Sequence, residues 1–135
     1  LTPLILISRD DSKEAINVAL LLIRYGCDIN KLGNHGQSAL GAAVSHDNKK
    51  LTAILLKKEA NIFINDIRFR DVSPFFVAIN KQAIWAVETF CDHGAKIHTK
   101  MANGTFPLFY AAEKGYDDIC MYLTMRSDEV NMETE

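Results

Sequence analysis

Cysteine and histidine are the residue types here that could carry covalent or metal chemistry, and the densest group is Cys91-Asp92-His93 with His98 following. As a set they suggest a thiol–imidazole pair or part of a ligand cluster. Either role needs a thiolate, which forms in electropositive, partly exposed surroundings. Cys91 and Cys120 instead fall at apolar positions of helical stretches, where a free cysteine serves as a small hydrophobe. Cys27, Cys91 and Cys120 are an odd, widely spaced set without C-x-x-C, which signals neither a disulfide framework nor a paired-cysteine zinc site. A reducing, intracellular and cytoplasmic setting is the expectation. His35, His46, His93 and His98 read as solvated residues of loops and helix edges, and Asp10-Asp11 as loop solvation and capping. The sequence contains no phosphate-cradling glycine run, no H-E-x-x-H and no nucleophile elbow. The expectation is no catalytic residue, no metal and no cofactor, hence no enzyme.

Charge and hydropathy narrow the partners. With 15 basic against 17 acidic residues and a net charge of −2 over 135 residues, the whole chain has no field that attracts nucleic acid or an anionic membrane. Apolar runs such as Leu4 to Ile7 and Val18 to Ile23 fall well short of the ~20 residues of a membrane span. A protein partner is the remaining class.

The elements that position these residues recur along the chain. Four similar segments follow apolar runs: Gly26-Cys27-Asp28-Ile29-Asn30, Glu59-Ala60-Asn61-Ile62-Phe63, Gly94-Ala95-Lys96-Ile97-His98 and Ser127-Asp128-Glu129-Val130-Asn131, starting 33, 35 and 33 residues apart. A second set, Thr2-Pro3-Leu4, Ser38-Ala39-Leu40, Ser73-Pro74-Phe75 and Phe106-Pro107-Leu108, starts at intervals of 36, 35 and 33. Thr or Ser before Pro predicts a helix start, because the hydroxyl accepts an orphan N–H and proline at the first helical position forfeits no bond. Each start leads into a short apolar helix, then a break, then a second helix over 16–25, 49–58, 84–93 or 117–126. Gly26 and Gly94 are placed to stop the second helix in a left-handed conformation. Polar loops such as 31–36 turn the chain back between units.

Helix, turn, helix and hairpin at this period resembles the ankyrin repeat. Ser38-Ala39-Leu40 with Ala42-Ala43, and Gly104 with Pro107-Leu108, Ala111-Ala112 and Gly115, are similar to that family's G-x-T-P-L-H-x-A-A-x-x-G core. The four segments ending Ile-Asn, Ile-Phe, Ile-His and Val-Asn are similar to its G-A-D-V-N close, with Cys27 at the small Ala position. The resemblance implies an all-α solenoid over residues 1–135, with units of about 1–35, 36–70, 71–103 and 104–135. It also implies a non-enzymatic scaffold that binds a protein partner on a concave face. The other reading is a substrate-recruiting segment of a larger enzyme, such as a transferase or hydrolase.

Departures from the pattern mark particular positions. The first unit has three extra residues between its helices, where Asp11 and Glu14 read as a capping box. The core His is replaced by Ile5, Gly41, Phe76 and Phe109, so apolar stacking between units is expected in its place. Glu59 and Ser127 replace the closing glycine, and Gln82 an inter-helix glycine. The hairpin carrying Arg68, Phe69 and Arg70 is two residues longer than the others.

Carried over position by position, the concave face would present Asn34, His35 and Gln37, then Phe69, Arg70 and Val72, then Ala102, Asn103 and Thr105. From the inter-helix turns it would add Ser45, His46, Asn80, Lys81, Glu113 and Lys114. Phe69 flanked by Arg68 and Arg70 has the residue types that dominate interface energies, although Phe69 could equally fold back over its own hairpin. Trp85 is either a partner anchor or a shield for its neighbours. Asn30 and Asn131, each with a leucine eight residues before, resemble asparagines hydroxylated in some ankyrin proteins. The apolar first and last units lack the polar outer face a solenoid end needs, so flanking chain or end-to-end contacts are expected.

Overall fold

A computed structural model describes residues 2–62, 73–98, 100–101 and 104–133, with side chains described as far as residue 127. Within them every regular element is helical, and eight helices form four consecutive pairs: α1 (Pro3–Ile7) with α2 (Lys13–Arg24), α3 (Ala39–Ser45) with α4 (Lys49–Lys57), α5 (Pro74–Asn80) with α6 (Ile84–Asp92), and α7 (Pro107–Lys114) with α8 (Asp117–Glu133). The protein is all-α.

Local chemistry explains where these helices start. The hydroxyls of Thr2, Ser38 and Ser73 accept from the N–H groups of Ile5, Gly41 and Phe76 at 3.1, 3.0 and 3.3 Å, and each of the three prolines occupies the first turn of a helix. The cap of α2 is Ser12, whose Oγ accepts from Ala15 N–H at 3.2 Å, and not Asp11. Asp10 holds that serine in place by accepting its N–H at 2.8 Å, so α2 begins at Lys13, earlier than the apolar pattern indicated.

Six of the eight described helices end by one recipe, while α1 closes at a right-handed Ser8. At Gly26, Glu59 and Gly94 the chain turns left-handed, with φ of 88°, 65° and 88°; at Asp47, Gln82 and Gly115 it does the same, with φ of 54°, 58° and 74°. At each, the next residue's N–H reaches a carbonyl five positions back, as in Cys27 to Leu22, Asn48 to Ala43 and Ala60 to Leu55, while the left-handed residue's own N–H reaches three back. This pair of bonds is the Schellman closure. The last helix departs from it. Ser127 stands at the closing position, yet α8 continues through it to Glu133 instead of ending at Arg126. The difference lies in what the segment docks on. Residues 60–62 are held between neighbours, with Asn61 N–H donating to Asn30 Oδ1 at 2.8 Å and Ile62 accepting from Phe75 N–H at 3.1 Å. Through Ser127 the chain instead stays helical, which satisfies one backbone bond per residue.

The helices pack in two layers. Helices α1, α3, α5 and α7 follow one another, each against the next, while in the second layer α2 packs on α4 and α6 on α8; the two members of each pair also touch. Buried Ala39, Ala43, Ala78 and Ala111 allow close approach in the first layer. Leu40, Val44, Leu51, Leu55, Phe75 and Phe90 fill the space between layers, each worth about 1.5–3 kcal/mol of transfer free energy. The Phe75 and Phe90 rings lie 6.2 Å apart at 32°.

One buried polar side chain ties the first two pairs together. Asn48 is fully buried; its Oδ1 caps α4 by accepting from Leu51 N–H at 3.2 Å, and its Nδ2 donates to the carbonyls of Ser8 at 3.2 Å and Asp10 at 3.0 Å. The longer first turn is thereby held against the second pair, and no bonding group of the amide is wasted. Asn48→Ala is expected to lower unfolding free energy by about 2–4 kcal/mol, from the lost cap and the orphaned carbonyls. Asn48→Ser restores the cap alone and should recover roughly 1 kcal/mol of it in denaturant titration.

Candidate interaction surface

Two turns share one pattern of backbone bonds at their described residues. In the first, Gly33 N–H donates to the Gln37 carbonyl at 2.8 Å and Gly36 N–H to the Gly33 carbonyl at 3.1 Å; in the other, Met101 and Thr105, then Gly104 and Met101, make the same two bonds at 2.8 and 3.0 Å. Gln37 also works inside its hairpin, its Oε1 accepting from His35 N–H at 3.0 Å. Its amide lies so close to Gly33 that a Cβ there would sit 2.8 Å from Nε2. Asn34 and His35 are left exposed at the tip. Arg68, Phe69, Arg70, Val72, Ala102 and Asn103 lie outside the described residues.

Of the other expected surface residues, Lys81 and Trp85 fall in one cluster and Asn80 and Lys114 in a second, each joining successive helix pairs. In the first, Asp47 accepts from Trp85 Nε1 and from Lys81 Nζ, both at 3.1 Å, while the Lys49 ammonium lies 5.5 Å from the Trp85 ring centroid. Trp85 is half-buried, and its indole N–H ties it to the preceding pair. In the second, Asn80 Oδ1 accepts from Tyr110 OH at 2.9 Å and more weakly from Tyr116 OH at 3.4 Å, and Lys114 Nζ stands 5.7 Å from the Tyr110 ring. Phe76 packs on the same tyrosine, with ring centroids 5.0 Å apart and planes at 56°.

Sequence reasoning missed Asp47, Tyr110 and Tyr116, and it missed Arg9. Arg9, Gln37, Gly41, Ala42, Ser45, His46 and Val77 line a groove of about 190 Å³ along the first layer. Gly41, standing where the other units carry Ile5, Phe76 and Phe109, leaves the recess. His46 Nδ1 lies 3.0 Å from the Ala42 carbonyl. A carbonyl only accepts, so Nδ1 is the donor in this contact.

Cys91 and His98 both line a second groove of about 430 Å³ that also includes Ile97 and Arg126. The arrangement does not activate the thiol. Cys91 is 3% exposed, and burial pushes its pKa up to about 11, outweighing the nearby Arg126 guanidinium. That guanidinium is spent on the end of α6, donating to the Cys91 carbonyl at 3.0 Å and pairing with Asp92 at 3.5 Å. Among the described residues no three His, Cys, Asp or Glu side chains are grouped to hold a metal ion, and no helix is long and apolar enough to cross a membrane. No protein-family model matches the chain, and no curated protein matches it in sequence.

Two measurements check this electrostatic picture. Hydrogen bonds from Lys81 and then Trp85 hold the Asp47 carboxyl below its usual range, so the stability it contributes is present above that range and lost as pH falls through the depressed value. Asn tolerates a left-handed backbone and still accepts from Trp85, which makes Asp47→Asn a clean removal of charge. Wild type should melt higher than this variant near neutrality, with the gap closing in acid and narrowing in salt because Asp47 is 56% exposed. A gap independent of pH would refute the assignment. For the cysteines, a thiol reagent at mildly alkaline pH should leave Cys91 unmodified until the protein is unfolded; rapid labelling of the native state would show that its thiol is activated.

Proposed function

We propose that the chain is an ankyrin-type solenoid that acts as a protein-interaction module without catalysis of its own, working in a reducing compartment. The observation that carries this reading is the recurrence of backbone geometry where side chains differ. Left-handed residues at 26, 59 and 94 and at 47, 82 and 115 keep intervals of 33 and 35, and each closes a helix with the same two hydrogen bonds although Gly, Asp, Glu and Gln all occur there. The matching bond pattern of the hairpins ending at Gln37 and Thr105 supports the same period.

A rigid stack of this kind presents its first-layer helices, turns and hairpin tips as one surface, and binding to it forgoes most of the ordering cost of a flexible loop. The groove around Gly41 is a recess on that layer. Arg9 and Gln37 give its rim polar donors, and its floor of Gly41 and Ala42 accepts an apolar side chain. The resemblance assigns Arg68, Phe69 and Arg70, which lie outside the described residues, to the same partner surface as an aromatic between two cations.

A photoactivatable crosslinker at exposed Ser45 should yield a discrete protein adduct in cells, whereas one at exposed Glu88 of α6 on the opposite layer should not. Phe69→Ala and Arg70→Glu should each reduce the Ser45 adduct with little change in melting temperature. Equal labelling from both layers, or none from Ser45, overturns the proposal.

A further inference from the structure

Two departures from the repeat meet in the groove around Gly41. That glycine stands in register with Ile5, Phe76 and Phe109, and the longer first turn supplies Arg9. The groove draws on three consecutive units: Arg9 follows α1, Gln37, Gly41, Ala42 and His46 belong to the second, and Val77 is part of α5.

Its polar groups have donors to spare. Gln37 Oε1 is taken by His35 N–H, which leaves Nε2 as the open end of the amide. His46 Nδ1 is spent on the Ala42 carbonyl, and Nε2 is the ring nitrogen left to meet a ligand. Arg9 is exposed, and among the described residues no carboxylate or ring engages its guanidinium. The lysines of this layer differ, since Lys81 is paired with Asp47 and Lys114 lies over Tyr110. Of the nearby carboxylates, Asp10 accepts from Ser12 N–H and Asp47 from Trp85 and Lys81, and neither they nor Asp11 line the groove.

The backbone on either side of Arg9 is fixed from within. Buried Asn48 donates to the carbonyls of Ser8 and Asp10 at 3.2 and 3.0 Å, and Asp10 N–H reaches the Ile7 carbonyl at 3.1 Å. A guanidinium on a turn held in this way gives up only side-chain freedom when it binds. At about 190 Å³ the groove is smaller than the ~300–1,000 Å³ that encloses a small molecule, and it suits one or two side chains of a larger partner. Donors without an acidic neighbour call for an acceptor, and a single guanidinium matches a single carboxylate in a two-bond fork. Gly41, Ala42 and Val77 lie beside it as an apolar floor.

We propose that this groove recognises an acidic segment of the partner protein. A glutamate or aspartate of the segment forks on Arg9, an aliphatic side chain next to it rests on the Gly41 and Ala42 floor, and Asn48 is the positioning residue that holds Arg9 in place. This rests on the reading of the first layer as the partner surface.

Random peptides displayed on phage and selected on the wild-type chain should enrich aspartate or glutamate near an aliphatic residue; selection on Arg9→Glu should enrich lysine or arginine in its place. For the peptide selected on wild type, fluorescence anisotropy should show affinity falling about tenfold when its carboxylate is replaced by the amide, and by a similar factor for Arg9→Gln, with binding weakening in salt. In Arg9→Gln the amide replacement should cost nothing further. Asn48→Ser keeps the α4 cap and frees the turn. It should weaken the peptide in the protein with Arg9 and not in Arg9→Gln, a dependence that a general loss of stability would not produce; equal weakening in both removes the positioning role. Selected peptides without an acid, an affinity that Arg9→Gln leaves unchanged, or failure to enrich any peptide overturns the proposal. The Ser45 adduct decides the wider reading separately: its presence alongside any of these failures refutes the acidic segment alone, and its absence refutes the partner surface as well.

Discussion

Helices of five, seven and nine residues do not persist in water, because the first turn fixes three residues for a single hydrogen bond and too few bonds follow to repay it. Burial against the neighbouring pair is therefore what makes α1, α3, α4, α5 and α6 helical at all. The fully buried residues reflect this dependence: Leu40, Val44, Leu51 and Leu55 of one pair meet Phe75, Ile79, Val87 and Phe90 of the next in one continuous core. Each pair supplies only part of that core. Stability in such an array is a sum of pair and junction contributions, and weakening one junction uncouples the units on either side of it.

Apolar burial is non-directional, so something else has to set how the pairs align. Each junction has its own polar device. Asn48 holds the first turn to the second pair, Asp47 receives Trp85 and Lys81 between the second and third, and Asn80 with Tyr110, helped by Arg126 at the end of α6, does so between the third and fourth. Of these only Asn48 is fully buried, and it bonds through both its oxygen and its nitrogen. The others are partly solvated and contribute alignment more than energy. Residues at the edges of turns thus have work within the molecule, which is why Trp85, Asn80, Lys81 and Lys114 are engaged with the adjoining pair.

Helix starts were legible because their chemistry is local: a hydroxyl followed by proline or alanine specifies a capped first turn wherever it occurs, as at Thr2, Ser38 and Ser73. Gly26 and Gly94 were legible as ends for the same reason. Asn48 was not, since two of its three bonds go to carbonyls 40 and 38 residues away, reached only through the path of the longer first turn. The shortfall at Ser127 has a related cause. The closing residues match the earlier ones in type, but the non-helical form at Ala60 to Ile62 is sustained by bonds to both neighbouring units, which residue type alone does not reveal.

The left-handed residues show how far tertiary demand overrides local preference. Asp47, Glu59 and Gln82 adopt φ between 54° and 65°, a conformation that costs a side chain other than glycine's about 1 kcal/mol. Nothing local favours it for glutamate or glutamine. It persists because the two Schellman bonds and the burial of the following residue, Asn48, Ala60 or Ala83, depend on the turn being made there. Asp47 draws a further advantage, since the left-handed turn places its carboxylate where Trp85 and Lys81 of the next pair can both reach it. Strain at a helix end is in that case the means by which one pair grips another, and a glycine at 47 would relieve the backbone while removing the grip.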